Sequence, residues 1–229
     1  MRTDETISVR RVASESDRGL ALEVMRTIYR DEKAWIADDQ KLVASADLTE
    51  PNVSWFVANK GDRPVGVVRV LYEPPIGLYA QYGFRILDPK FDLDGFIRRS
   101  RIAEIGRFAV VPEQRRNLLV AASLMRSASR ETFERGFSHY ITDVFEGEKH
   151  SPYEFHTRVM GFLPVATHDV GELNCRNRRI TLVLDMRAAY FRLRAANGWL
   201  FRHLTEDWPE ELHRKLTGEL DDTRELVGA

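Results

Sequence analysis

The chain of 229 residues is long enough for one large domain, or for one domain with an appendage. Its 43% apolar and 30% charged residues are a globular balance, and 34 Lys and Arg against 35 Asp and Glu leave a formal charge of −1. That composition speaks against disorder and against coating nucleic acid through bulk charge. The single cysteine, Cys175, excludes an internal disulfide framework and a multi-cysteine zinc site.

Residues 1–6 carry no apolar run of the secretory kind. The longest apolar stretch, 118–125, is interrupted by Ser123 and bounded by Arg116 and Arg126, too short to span a bilayer. A cytoplasmic protein is the expectation. Residues 6–13 partly alternate and read as a strand. Ser14 opens a cap-rich turn, and Leu20, Val24 and Ile28 recur at helical spacing, so a first helix runs to about residue 31. Residues 32–52, with Trp35 among them, read as a loop with short helical turns. Residues 53–59 and 64–72 flank a Lys60-Gly61-Asp62-Arg63 turn and form a hairpin. Residues 73–100 are broken by Pro and Gly, with a helical segment over 91–98.

Residues 102–111 read as a strand that stops at Pro112, and a long helix over 114–135 closes at Gly136. A strand over 138–145, a short helix over 151–160 stopped by Gly161, and strands over 162–167 and 178–184 come next. Helices over about 186–203 and 206–217 end the chain. Three consecutive strands before the long helix predict a mixed sheet in an α+β fold, not a doubly wound one. The six histidines show no metal spacing, His150 and His156 being six apart, so no metal is expected. His156 reads as a packing or surface residue, and Cys175 has no partner base.

The run Arg107-Phe-Ala-Val-Val-Pro-Glu-Gln-Arg-Arg-Asn-Leu-Leu-Val120 is a strand, a Pro stop, a basic turn and a helix start. It resembles the acyl-carrier motif of the GNAT N-acyltransferase superfamily, and Met160-Gly161-Phe162 resembles the Gly-Phe ending of that superfamily's second motif. The resemblance spans about 6–185. It implies a mixed central sheet flanked by helices over 1–185, with 186–229 as a helical extension packed on that domain. Leu118 and Val120 stand where the superfamily has glycines that let backbone N–H groups approach a pyrophosphate. Larger side chains there argue for a carrier-protein donor over coenzyme A, while Arg115 and Arg116 stay available to a phosphate. Thr157 stands where a Tyr often serves as acid for the leaving thiolate, which leaves the general acid open.

A narrower resemblance accounts for the departures. Arg26-Thr-Ile-Tyr29, Trp35, Asp47 with Glu50, Gly66-Val-Val-Arg69 and Glu104-Ile-Gly-Arg107-Phe108 succeed one another in order. Order and spacing resemble the signature of acyl-homoserine-lactone synthases and the related long-chain N-acyl amino acid synthases. The resemblance implies a fatty acyl group moved from acyl carrier protein to the amine of a small acceptor, most readily an amino acid, by direct attack. It implies no permanently bound cofactor, only an acyl-phosphopantetheine donor, and no nucleic-acid partner.

Glu104 is then the candidate base through a water, and the N–H groups of Phe108, Ala109 and Val110 are the candidate oxyanion donors. Arg69 and Arg107 would clamp a carboxylate or join an ion network with Asp47 and Glu50. Arg26, Tyr29 and Trp35 would form a lid, the alternative for Tyr29 and Trp35 being plain core packing. Val111, Arg115, Arg116, Leu118 and Val120 would meet the acyl carrier. Arg98, Arg99, Arg101, Arg115, Arg116, Arg126 and Arg130 make the middle of the chain basic. That suits an acidic carrier protein, with a solvated helix face as the alternative. The Arg-rich, aromatic stretch 188–202 would cover the acyl tunnel, pack against a partner, or lie on a membrane surface. Three rival functions stay open: a lactone synthase using S-adenosylmethionine, an acetyl-CoA-dependent acetyltransferase, and a non-catalytic acyl or carrier binder.

Overall fold

The computed structural model describes residues 6–76 and 82–218. The strands are β1 (Ile7–Arg11), β2 (Val53–Lys60), β3 (Arg63–Tyr72), β4 (Arg85–Ile86), β5 (Ile102–Val110), β6 (His139–Phe145), β7 (Leu163–His168) and β8 (Arg179–Asp185). The helices are α1 (Glu15–Met25), α2 (Leu93–Arg99), α3 (Leu118–Glu134), α4 (Met186–Ala196), α5 (Trp199–Thr205) and α6 (Glu210–Thr217). The strands form one sheet in the order β1-β2-β3-β5-β6-β8-β7-β4. Its one parallel pair is β5 with β6; the rest are antiparallel. This is the mixed α+β sheet that the strand order predicts.

Differences from the sequence reading have local causes. The first helix does reach residue 32, but its last stretch, Arg26–Glu32, widens into a π-helix. The long helix starts at Leu118, not 114: Pro112–Gln114 makes a separate turn, and Asn117 caps the helix by accepting the Leu119 N–H at 3.2 Å. The expected 186–203 helix breaks in two at Asn197, which is left-handed (φ 45°). The two-residue β4 is too short to be seen in sequence. Residues 77–81 of the Pro- and Gly-rich region lie outside the described residues, as do 1–5 and 219–229.

Both faces of the sheet are covered. On one face α3 buries Val120, Leu124, Met125 and Ala128 against Val68, Val70, Ala103 and Ile105. The C-terminal helices add Tyr190, Leu200, Leu204, Leu212 and Leu216 to the same core. On the other face α1 sets Leu22, Val24 and Met25 over Trp55, Val57 and Val67.

Two irregularities in the middle of the sheet position the site. β5 and β6 pair only over Ile102–Glu104 and His139–Ile141, after which the parallel strands part. Opposite β3, β5 carries an extra residue: Val67 faces Ala109 while Arg69 faces Gly106. Arg107 sits in that bulge with φ 50°, a left-handed conformation uncommon outside Gly.

Candidate active site

The parting of β5 and β6 opens onto a cavity of about 380 Å³. β3 contributes Arg69 and Leu71, and β5 contributes every residue from Glu104 to Val110. β6 contributes Thr142, Asp143, Val144 and Phe145, and the start of α3 contributes Asn117, Leu118 and Ala121. Tyr29 and Trp35 close one side. Their rings meet edge to face at 5.5 Å, and Trp35 packs on Phe145 at 4.5 Å. The π-helical turn fixes this corner, because its Tyr29 carbonyl accepts the Trp35 N–H at 2.8 Å.

The charged groups fall into pairs. Arg69 donates to Glu104 Oε1 at 2.8 Å, both side chains being largely buried. Burial works against the Arg69 charge, but Glu104, with Glu172 and Asp47, outweighs it and holds the guanidinium pKa above its ordinary value. Arg107 is the opposite case. Burial, with the Arg69 charge beside it, pushes its pKa down. Its side chain is 9% exposed and its carboxylate partner, Glu172 at 3.1 Å, is 63% exposed. The Nε atoms of Arg69 and Arg107 are buried without a hydrogen-bond partner. A buried unpaired donor of this kind costs about 1–3 kcal/mol. Burial also pushes the Tyr29 phenol up.

The backbone offers a donor. The Val111 N–H bonds the Val65 carbonyl at 3.0 Å, so by strand alternation the Val110 peptide edge turns the other way, toward the gap. Its carbonyl is taken by Arg115 Nε at 3.2 Å. Arg115 also pairs with Glu32. At the start of α3 the Asn117 side chain and carbonyl already accept the N–H groups of Leu119 and Val120 (3.2 and 3.1 Å).

Of the sequence candidates, Glu104, Phe108, Ala109, Val110, Tyr29, Trp35, Arg69, Arg107, Arg115 and Leu118 line the cavity. The others lie elsewhere. Arg26 pairs with Asp39 at 2.9 Å, away from the lid. Asp47 accepts the Trp55 indole N–H at 2.5 Å. Trp55 is the cross-strand neighbour of Arg69, so Asp47 acts on Arg69 through its charge and not by contact. Glu50 sits in the turn before β2, where its carbonyl accepts the Val53 N–H. Val120 is fully buried in the core, so of the two residues replacing glycine only Leu118 faces the cavity. Val111 is spent on β3, and Arg116 is exposed, next in the chain to the cavity-lining Arg115 and Asn117.

The basic run is largely neutralised within the chain. Arg99 pairs with Asp92 and Arg101 with Glu73, while Arg126 and Arg130 hold Glu206 and Asp207 of the C-terminal segment. Sequence reasoning passed over Asp143, His168 and Thr181. Asp143 Oδ2 lies 3.0 Å from His168 Nε2, and its Oδ1 accepts from Thr181 at 2.6 Å. An Asp within the apolar strand 138–145 was the available signal. His156 is fully buried among Phe108, Phe155 and Phe162, and its ring nitrogens have no partner. Among the described residues no group of His, Cys, Asp and Glu has a metal-site arrangement. No helix among them is long and apolar enough to cross a membrane.

No protein of curated function matches the chain at a significant level. The structure of FeeM, an N-acyl amino acid synthase from uncultured soil microbes, is similar at 16% identity with a TM-score of 0.63, covering 84% of this chain and 98% of that one. Arabidopsis thaliana NAA60 in complex with acetyl-CoA is similar at 14% identity and TM-score 0.54, covering 79% and 99%. An acyl-CoA N-acyltransferase from Pseudomonas aeruginosa is similar at 12% and 0.52, covering 78% and 99%. These likenesses show the fold. The family is shown by the model of the N-acyl amino acid synthase FeeM, which matches residues 21–174. The chain belongs to the FeeM N-acyl amino acid synthase family, a family of N-acyltransferases, and shares the fold of GNAT acetyltransferases.

Proposed function

We propose that the protein moves a fatty acyl group from the phosphopantetheine thioester of acyl carrier protein to the amine of an amino acid. The observation that carries the acceptor is Arg107. A guanidinium this buried, with an unpartnered Nε and its one ion-pair partner at the rim, calls for an anion from the ligand. An amino acid brings its α-carboxylate there and its nitrogen toward the split between β5 and β6. Glu104, held by Arg69, serves through a water as base toward that nitrogen. The Val110 N–H, facing the gap, receives the oxyanion of the tetrahedral intermediate. The apolar wall of Ile105, Phe108, Leu118, Val144 and Phe155 receives the acyl chain. No acyl-enzyme forms: the thioester is attacked directly.

A carrier-protein donor is favoured by the start of α3. Asn117 occupies the N–H groups that a coenzyme A pyrophosphate would use, and Leu118 fills space before them. Arg116, with Lys149 and His150 at the mouth, gives an acidic carrier its counter-charge. The test presents purified enzyme with matched acyl-carrier-protein and acyl-CoA donors and a mixture of amino acids. Carrier-protein turnover that collapses in Glu104→Gln is expected. Turnover from acyl-CoA alone would contradict the donor assignment.

A further inference from the structure

Four carboxylates line the cavity: Glu104, Asp143, Glu148 and Glu172. Three carry a cationic partner, Arg69 for Glu104, Lys33 for Glu148 and Arg107 for Glu172. Asp143 alone has no Arg or Lys partner among the described residues; its one basic contact is His168, an ion pair when that ring is protonated. It is instead fixed from behind. Thr181 donates to one oxygen at 2.6 Å, and His168 Nε2 approaches the other at 3.0 Å. His168 is itself buried, with Nδ1 2.7 Å from the Val170 carbonyl and the rings of Tyr82 and Phe84 packed against it. Two carboxylate oxygens offer about four acceptor positions; Thr181 uses one, and His168 uses a second when both its ring nitrogens carry protons, since Nδ1 must donate to the Val170 carbonyl. Asp143 is 26% exposed, and it stands on β6 just past the last residue paired with β5.

We infer that Asp143 meets the acceptor's amino group, binding it as an ammonium and removing the proton that must leave before nitrogen can attack. This role presupposes the acyl transfer proposed above and narrows its acceptor to a zwitterion, with ammonium on Asp143 and carboxylate on Arg107. His168 and Thr181 are positioning residues. An ammonium carries three protons and the product amide nitrogen one. The first passes to the Asp143 carboxylate and on to solvent, freeing the nitrogen lone pair. That lone pair forms the C–N bond. The C–S bond then breaks with its electron pair going to sulfur, and the second proton reaches the thiolate by way of Glu104 and its water. His168 touches Asp143 directly, and the other charged and titratable groups lining the cavity are Tyr29, Lys33, Arg69, Tyr82, Glu104, Arg107, Arg115, Glu148, Lys149, His150, His156, Glu172 and Arg179.

The test starts from wild-type enzyme assayed with acyl carrier protein and each amino acid. An enzyme that acylates none overturns the acceptor reading, and with it this role. For the acceptor found, kcat/KM is measured against pH for wild type and Asp143→Asn. The variant is expected to lose about a hundredfold at pH 7. The loss should shrink as pH rises toward the range where the amine is neutral in solution, since the variant then needs no base. A loss of equal size at every pH, or no loss, overturns the role. Thr181→Val, which keeps the carboxylate, serves where Asp143→Asn fails to fold. A few-fold loss that also shrinks with pH is expected, and a loss independent of pH counts against it.

Discussion

Gly66 is small because three neighbours converge on it. A Cβ there would lie 3.1 Å from the Ala109 carbonyl oxygen, the Leu124 side chain and the Val120 side chain. The bulged strand and α3 thus both press on one point of β3. Gly66→Ala is expected to cost about 1–3 kcal/mol, read as a fall in the urea midpoint. At Arg107 the expected effect is on the acceptor: Arg107→Ala raises acceptor KM at least about tenfold while donor KM holds, since a lost hydrogen-bonded charge pair is worth about 1.5–3 kcal/mol. Equal rises in both KM values would contradict a carboxylate clamp. His156 sets a pH limb of stability. Burial lowers its imidazole pKa to about 3, while the unfolded chain protonates it near the ordinary histidine value. The unfolded state therefore binds more protons between about pH 6.5 and 3. The stabilisation is full above that window and falls as pH drops through it, by about 1.4 kcal/mol per unit. Between pH 7 and pH 5 this group removes about 2 kcal/mol. Urea titrations of His156→Phe should lack that part of the acid loss.

At the scale of elements, the site is made by two departures from regular structure, the parting of β5 from β6 and the bulge at Arg107. Neither was legible in the sequence, because hydrophobic alternation reports a strand and says nothing of where its partner leaves it. The strands themselves were legible: Val53–Lys60 and Arg63–Tyr72 match the apolar runs and turn almost to the residue. The helix starts were less so, since Arg115 and Arg116 look as helical as Leu118 and Leu119, and the boundary belongs to the Asn117 cap. Asn117→Ala should cost about 1 kcal/mol in a denaturant melt. Within the site, Glu104, Arg69 and Arg107 were legible through a family signature. Asp143 and His168 were not, because they meet only when β6, β7 and β8 are side by side. Asp47 reaches Arg69 through its charge alone, because Trp55 comes between them across the β2–β3 pair.

At the scale of the whole molecule, the C-terminal helices are bound into the main core. Ser123 meets His203 at 3.0 Å and Arg126 holds Glu206 at 2.7 Å, beside the apolar contacts of Leu200, Leu204, Leu212 and Leu216. A chain ending at Asp185 is expected to aggregate or to lose its cooperative thermal transition, because that face of α3 would meet water. Retention of a sharp transition would make the segment an appendage. The same pairing leaves Arg98, on α2, and Arg116, next in the chain to the cavity-lining Arg115 and Asn117, as the exposed members of the basic run with no ion pair among the described residues. The central claim is the chemistry in the cavity. Its most direct test is mass spectrometry of lipids from cells expressing the protein, against empty vector and Glu104→Gln. A new long-chain N-acyl amino acid, absent from the variant, is the predicted result. An acyl lactone, or no new lipid, would contradict it.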